Sequence, residues 1–244
     1  MKQIGILFQP EMVRANIAGR KCQTRRLRKL ELVNADPDRW HLWQPRISEE
    51  TGEWAFSTNA QQGEKGEVVR IKCPYGKVGD MMWQRETFAL ESNWNIDSEE
   101  NYPPPFKDGR PVNRIVDDPQ WGDWWEQAHY RATDPEPEFS LGGIEKPGVR
   151  WTPSIHMPRW ASRFVRPITR IRCERVQSLS PEDCLAEGIA YEDCDPGNAH
   201  QYWREEAYSK YRELWCTING AESWERNPWV WVVEYAKEAT CLEA

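Results

Sequence analysis

No stretch of the 244 residues approaches the roughly 20 consecutive apolar residues of a membrane-spanning helix, so no membrane partner is expected. The opening Met1-Lys2-Gln3-Ile4-Gly5 lacks the apolar run and small-residue cleavage site of a secretory leader, and a soluble, cytoplasmic protein follows as the expectation. Cysteine is thinly spread, at 22, 73, 173, 184, 194, 216 and 241, odd in number and without a C-x-x-C pair, which argues against a disulfide framework or a zinc ribbon. The four histidines, His41, His129, His156 and His200, are equally dispersed, so no metal is expected. A phosphate-binding loop, a glycine-rich dinucleotide motif and internal repeats are all missing, and no cofactor is implied.

What is present is segregated charge. The net charge of -7 argues against a general nucleic-acid coat protein. Yet residues 14–30 carry Arg14, Arg20, Lys21, Arg25, Arg26, Arg28 and Lys29 with no carboxylate, and residues 159–175 carry six arginines against Glu174 alone. Residues 91–138 hold twelve acids and four bases. Two basic segments brought together would line an anion-binding cleft, whereas kept apart they are solvated faces balanced by the acidic stretch.

Along the chain, Ile4 to Phe8 reads as a strand and Pro10 to Ala18 as a short helix, with proline at the first helical position and Gly19 just past the end. The basic segment Gly19 to Arg26 then reads as a turn. Residues 31–66 are polar and broken by Pro37, Pro45, Gly52, Gly63 and Gly66, an insertion with one hairpin around Trp54. Glu67 to Cys73 and Met81 to Leu90 read as strands. Residues 91–156 form a second insertion of little regular structure, anchored by Trp121, Trp124 and Trp125.

In Phe164 to Val176, alternation puts Arg166, Arg170 and Arg172 on one face, with Pro167 marking an edge or bulge. Ser180-Pro181-Glu182-Asp183 is a helix start with a hydroxyl cap, and Gly188 ends that helix. A longer helix is expected from His200 to Trp215 and a closing strand from Trp229 to Tyr235. The fold class is α+β. Most of the fifteen tryptophans belong to the core or anchor the insertions.

Gly19-x-Lys21-x-x-Thr24-x-Arg26 resembles the G-x-K-x-x-T-x-R signature of the ASCH domain family, small β-barrels related to the PUA RNA-binding fold. The resemblance implies one elaborated domain over residues 1–244: a small PUA-like barrel with flanking helices, its core at 1–30, 67–90 and 157–237, and insertions at 31–66 and 91–156. Cys73-Pro74-Tyr75-Gly76, Ser154 to Arg163 and Asn227 to Val232 are similar to stretches of ASCH-like proteins carried by bacteriophages and prophages, which implies a bacterial host cytoplasm. One bacterial branch removes the acetyl group from N4-acetylcytidine with a lysine, a threonine and a glutamate. The signature places Lys21 and Thr24 on the first two. The helix after Ser180 places Glu187 on the third, with Glu182, Asp183 and Glu86 as alternatives.

That chemistry is physically sensible. A threonine hydroxyl becomes a nucleophile when a base takes its proton, and a lysine serves once burial or neighbouring arginines lower its proton affinity. A glutamate can protonate the leaving nitrogen, and Arg26 can hold a phosphate or polarise the acyl oxygen. Read without the resemblance, Lys21 and Arg26 are phosphate contacts, Thr24 is a local cap and Glu187 an exposed acid. Trp83 and Arg85 share a strand face that can stack on and bond a base, beside Glu86; His156, Arg159 and Arg170 are further binding candidates. The functions to be weighed are a metal-independent amidohydrolase acting on N4-acylated cytosine nucleosides, nucleotides or nucleic acid, and a non-catalytic PUA-like module that binds RNA, other single-stranded or modified nucleic acid. A nuclease or a phage structural protein is a weaker third.

Overall fold

The segment Trp229 to Tyr235, WVWVVEY, has no polar half, and such a run needs cover on both faces. A computed structural model describes residues 1–43, 51–59, 66–93, 113–116, 124–136, 150–190 and 203–237. The chain runs β1 (Gln3–Leu7), α1 (Pro10–Ile17), β2 (Gln23–Arg26), α2 (Glu31–Asn34), β3 (His41–Trp43), β4 (Glu53–Ser57), β5 (Val68–Lys72), β6 (Met81–Arg85), β7 (Phe88–Asn93), β8 (Asn113–Val116), β9 (Trp124–Tyr130), β10 (Val165–Arg175), α3 (Pro181–Ala186), α4 (Trp203–Asn219), α5 (Ala221–Glu225) and β11 (Trp229–Tyr235). Strand β11 receives the cover its composition demands. Val230 and Val232 join a buried cluster with Cys184 of α3, Tyr211 and Trp215 of α4 and Trp224 of α5. On its other side Trp231 meets Trp54 of β4 edge-on, ring centres 5.0 Å apart, and Trp229 meets Phe56 at 5.3 Å.

The architecture is mixed α+β, with three sheets among the described residues, in orders β1-β6-β10-β11-β2, β3-β4-β5 and β7-β9-β8. No sheet closes on itself among the described residues. The chain divides into two compact units, one of residues 1–4, 15–82 and 166–244 and the other of residues 5–14 and 83–165. No described helix is long and apolar enough to cross a membrane.

Several local expectations give way to tertiary pairing. Gln23 to Arg26 is a strand rather than a turn, because Thr24 and Arg26 find register partners in Val233 and Trp231 of β11. Met81 to Leu90 splits into β6 and β7. The hairpin around Trp54 is present as β4, paired with β3 and β5. The stretch read as irregular holds β8 and β9, which pair with each other and, through β9, with β7. The side chains of Trp124 and Trp125, together with Trp121 and His200, lie outside what is described.

The arginine face of β10 is also revised. Its register with β11 shifts between Ile168 and Arg170, and this irregularity follows Pro167, which cannot donate to a ladder. Arg166 is consequently buried with Ile168, whereas Thr169 and Arg170 are exposed.

Candidate active site

Helix α1 ends in a left-handed residue, Gly19 at φ +69°, a conformation suited to glycine. The N–H groups of Arg20 and Lys21 both return to the carbonyl of Ala15, at 3.0 and 3.2 Å, so the Lys21 backbone is fixed by the end of the helix. The next residue ties two elements together: Cys22 N–H donates to Ala186 O and Cys22 O accepts from Tyr235 N–H, each at 2.9 Å. Strand β2 begins there. Lys21, Thr24 and Arg25 are all buried despite the basic composition of the segment.

The partner of Lys21 comes from the end of α3. That helix starts as its sequence signals: Ser180 Oγ accepts from Asp183 N–H at 3.1 Å, Asp183 Oδ2 accepts from Ser180 N–H at 3.0 Å, and Pro181 occupies the first turn. It closes on Glu187, and Gly188 follows at φ +102°. A Cβ on Gly188 would lie 3.0 Å from Ala15 Cβ and 3.3 Å from Lys21 Cβ, so glycine permits both the turn and the close approach to Lys21.

Lys21 Nζ donates to Glu187 Oε2 at 2.8 Å and to the Glu187 carbonyl at 2.5 Å. The two side chains are 2% and 5% exposed, which makes this a buried ion pair rather than a surface one. Burial is the largest influence on the Lys21 amine and weakens its hold on a proton. Glu187 opposes this by charge and hydrogen bond, Arg26 and Arg25 add to it, and the net is a proton affinity below that of an ordinary lysine.

Glu187 is held from a second side. Arg25, whose side chain is fully buried, reaches Glu187 Oε1 at 3.1 Å, Glu174 at 2.7 Å and Asp183 at 3.1 Å. Arg172 shares Glu174 and Asp183 at 2.9 and 2.7 Å and also pairs with Glu234. Burial works against ionisation of Asp183, but the Ser180 amide, Arg25 and Arg172 together hold its carboxyl below the usual carboxylate range. Close by, Tyr235 Oη donates to Asn16 Oδ1 at 2.9 Å, and burial pushes the Tyr235 phenol well up.

Thr24 sits on the same short strand. Its Oγ1 accepts from Arg26 Nε at 3.0 Å, which leaves the hydroxyl hydrogen available to be given away. Among the described residues Thr24 makes no hydrogen bond to Lys21 or Glu187. Arg26 is the neighbour common to both, bonding the Thr24 hydroxyl and acting on the Lys21 charge. Of the alternative carboxylates, Glu182 is exposed and 3.6 Å from Arg204, and Asp183 is committed to the helix cap and the arginines. Arg170 is exposed beyond the β10 irregularity, opposite Glu234 in register.

The other binding candidates belong to the second unit. There Glu86 is a buried structural acid, taking Arg163 at 2.9 and 2.7 Å and Gln84 at 3.1 Å. Trp83 is not a bare platform: the Arg85 and Arg159 guanidiniums lie 5.3 and 5.9 Å from its ring centre. The Gly5 backbone lies so close that a Cβ there would be 2.8 Å from the same ring. Arg85 is anchored by the carbonyls of Ser154 and Ile155, in the short turn that carries the exposed His156.

The arrangement can move protons between a buried amine and a carboxylate and can hold a hydroxyl in place. Among the described residues no group of three or more His, Cys, Asp or Glu side chains is placed to hold a metal ion. Arg25, Arg172 and Glu174 carry much of the site's order, and sequence reasoning missed them because Arg25 meets Glu174, Asp183 and Glu187 only across long stretches of chain, while the Arg172–Glu174 pair, neighbours on one face of β10, looks in sequence like an ordinary strand face. Comparison with protein-family models, curated proteins and solved structures finds no match for this chain.

Proposed function

We propose that this protein is an amidohydrolase that removes acyl groups from N4-acylated cytosine, as nucleoside, nucleotide or within nucleic acid, on an ASCH-type PUA-like barrel elaborated by insertions. The observation that carries the reading is the buried Lys21–Glu187 pair, an amine of weakened proton affinity 2.8 Å from a carboxylate, three residues before a hydroxyl held by Arg26. Lys21, as the free amine, takes the Thr24 proton, and Oγ1 adds to the acyl carbon. The carbon–N4 bond breaks as N4 receives a proton through Glu187, releasing the free amine of cytosine. Water then adds to the acyl ester, giving its proton to the same base. Thr24 recovers its hydrogen as the acid leaves.

Chromatography of N4-acetylcytidine, and of an oligonucleotide containing it, incubated with the protein tests this directly. Lys21→Met and Glu187→Gln are expected to lower turnover by about 10²–10⁴-fold with the melting transition retained. Absence of turnover by the wild-type protein on both substrates overturns the proposal.

A second reading, nucleic-acid binding without chemistry, is favoured by Arg20, Arg28 and Lys29, exposed cations around β2 that form no ion pair among the described residues. It requires salt-sensitive retention of a labelled single strand, with the slope against salt falling by roughly one for each phosphate contact removed in Arg28→Ala and Lys29→Ala. An unchanged slope in both variants refutes it.

A further inference from the structure

We propose that Arg25 is a positioning residue: one guanidinium clamps both ends of α3 to β2 and fixes which oxygen of Glu187 meets Lys21. The proposal rests on the reading of Lys21 and Glu187 as the proton-handling pair. Asp183 stands in the first turn of α3 and Glu187 at its end, and Arg25 reaches both at 3.1 Å while a further contact of 2.7 Å joins it to Glu174 at the end of β10. The Tyr211 ring, centred 5.8 Å from the guanidinium carbon, closes another side. Glu187 is therefore divided, Oε1 on Arg25 and Oε2 on Lys21.

A carboxylate on a two-methylene stem at a helix end has rotamers to spare. A planar fork holding one oxygen leaves the other in a single direction. A lysine at position 25 is a point charge on a flexible stem and cannot span the same acids at once. Arg25 also shares its sign with the Lys21 ammonium. The charges facing that amine are Glu187 from the end of α3 and Arg25 and Arg26 from β2, so removing Arg25 takes away one of two repelling cations and leaves Glu187 to Lys21.

The test compares wild type, Arg25→Met and Arg25→Lys by NMR titration of the Lys21 side chain, its signal identified by its loss in Lys21→Met, alongside thermal melts and pH profiles of turnover on N4-acetylcytidine. In Arg25→Met the Lys21 titration is expected to move to higher pH, with kcat lowered about 10–100-fold and KM within about twofold. Arg25→Lys keeps the charge but loses the fork, so kcat is expected to fall by a similar factor with the Lys21 titration little moved, and it carries the test if the methionine variant does not fold. An unmoved Lys21 titration in folded Arg25→Met, or a wild-type kcat in folded Arg25→Lys, overturns the proposal. The titration needs no turnover, so a wild-type protein that fails to hydrolyse the substrate removes the hydrolase reading and leaves the role of Arg25 to be decided by the NMR arm.

Discussion

The proposed hydrolysis turns on whether Lys21 acts as a base or as a fixed charge, and a single residue can decide it. Arginine retains the charge but does not lose its proton near neutrality, so Lys21→Arg separates the two roles. As a base, Lys21 is required in its neutral form. Activity should then rise with pH through its lowered titration, and Lys21→Arg should lower kcat about 10²–10⁴-fold while single-strand retention stays the same. Turnover by Lys21→Arg at the wild-type rate would make the lysine a charge and nothing more. Thr24 has a parallel pair of variants: serine keeps the hydroxyl that Arg26 holds, and valine removes it at nearly equal volume. Steady-state kinetics should show activity retained in Thr24→Ser and lost in Thr24→Val if Oγ1 is the nucleophile.

At the scale of elements, α3 delivers Glu187, and its integrity depends on both ends. Ser180→Ala removes one half of the capping box and is expected to cost about 1 kcal/mol in denaturant unfolding. Gly188→Ala forces a side chain into a left-handed backbone against Ala15 and Lys21, a strain of about 1–2 kcal/mol, and should lower turnover because Glu187 is carried on that turn. A Gly188→Ala protein with unchanged melting and kinetics would show that the turn has slack. The start of α3 was legible because Ser180, Pro181 and Asp183 act within one turn of chain. Strand β2 was not, since only its register with β11, some 200 residues away, makes an extended strand of a basic segment. The arginine face of β10 failed in an instructive way: Pro167 gave notice of an irregularity, but the register shift that buries Arg166 and exposes Arg170 depends on pairing with β11.

For the molecule as a whole, the order of expected strands and helices pointed correctly to a mixed α+β chain, and composition to a substantial core. Strand β8 stayed hidden because it is a short segment between prolines, and β9 because its polar and aromatic residues do not alternate cleanly; the order of both comes from pairing with one another and, through β9, with β7. Buried titratable groups give the fold a pH signature of two opposing signs. Burial pushes the thiols of Cys73 and Cys184 up to about 12, so the stability each contributes is complete below the ordinary thiol value of about 8.5 and is lost as pH rises toward the folded value. Lys21 runs the other way. Its folded proton affinity is lowered, so the unfolded chain binds the extra proton and the contribution of this residue to stability grows as pH climbs toward the ordinary lysine value of about 10.4. Urea unfolding of wild type and Lys21→Met at neutral pH and near pH 10 isolates the second effect, because the thiols are common to both proteins. Stability measured as wild type minus variant should increase with pH. A difference that stays flat would mean that Lys21 keeps an ordinary proton affinity in the folded protein, and the base assigned to it would be lost.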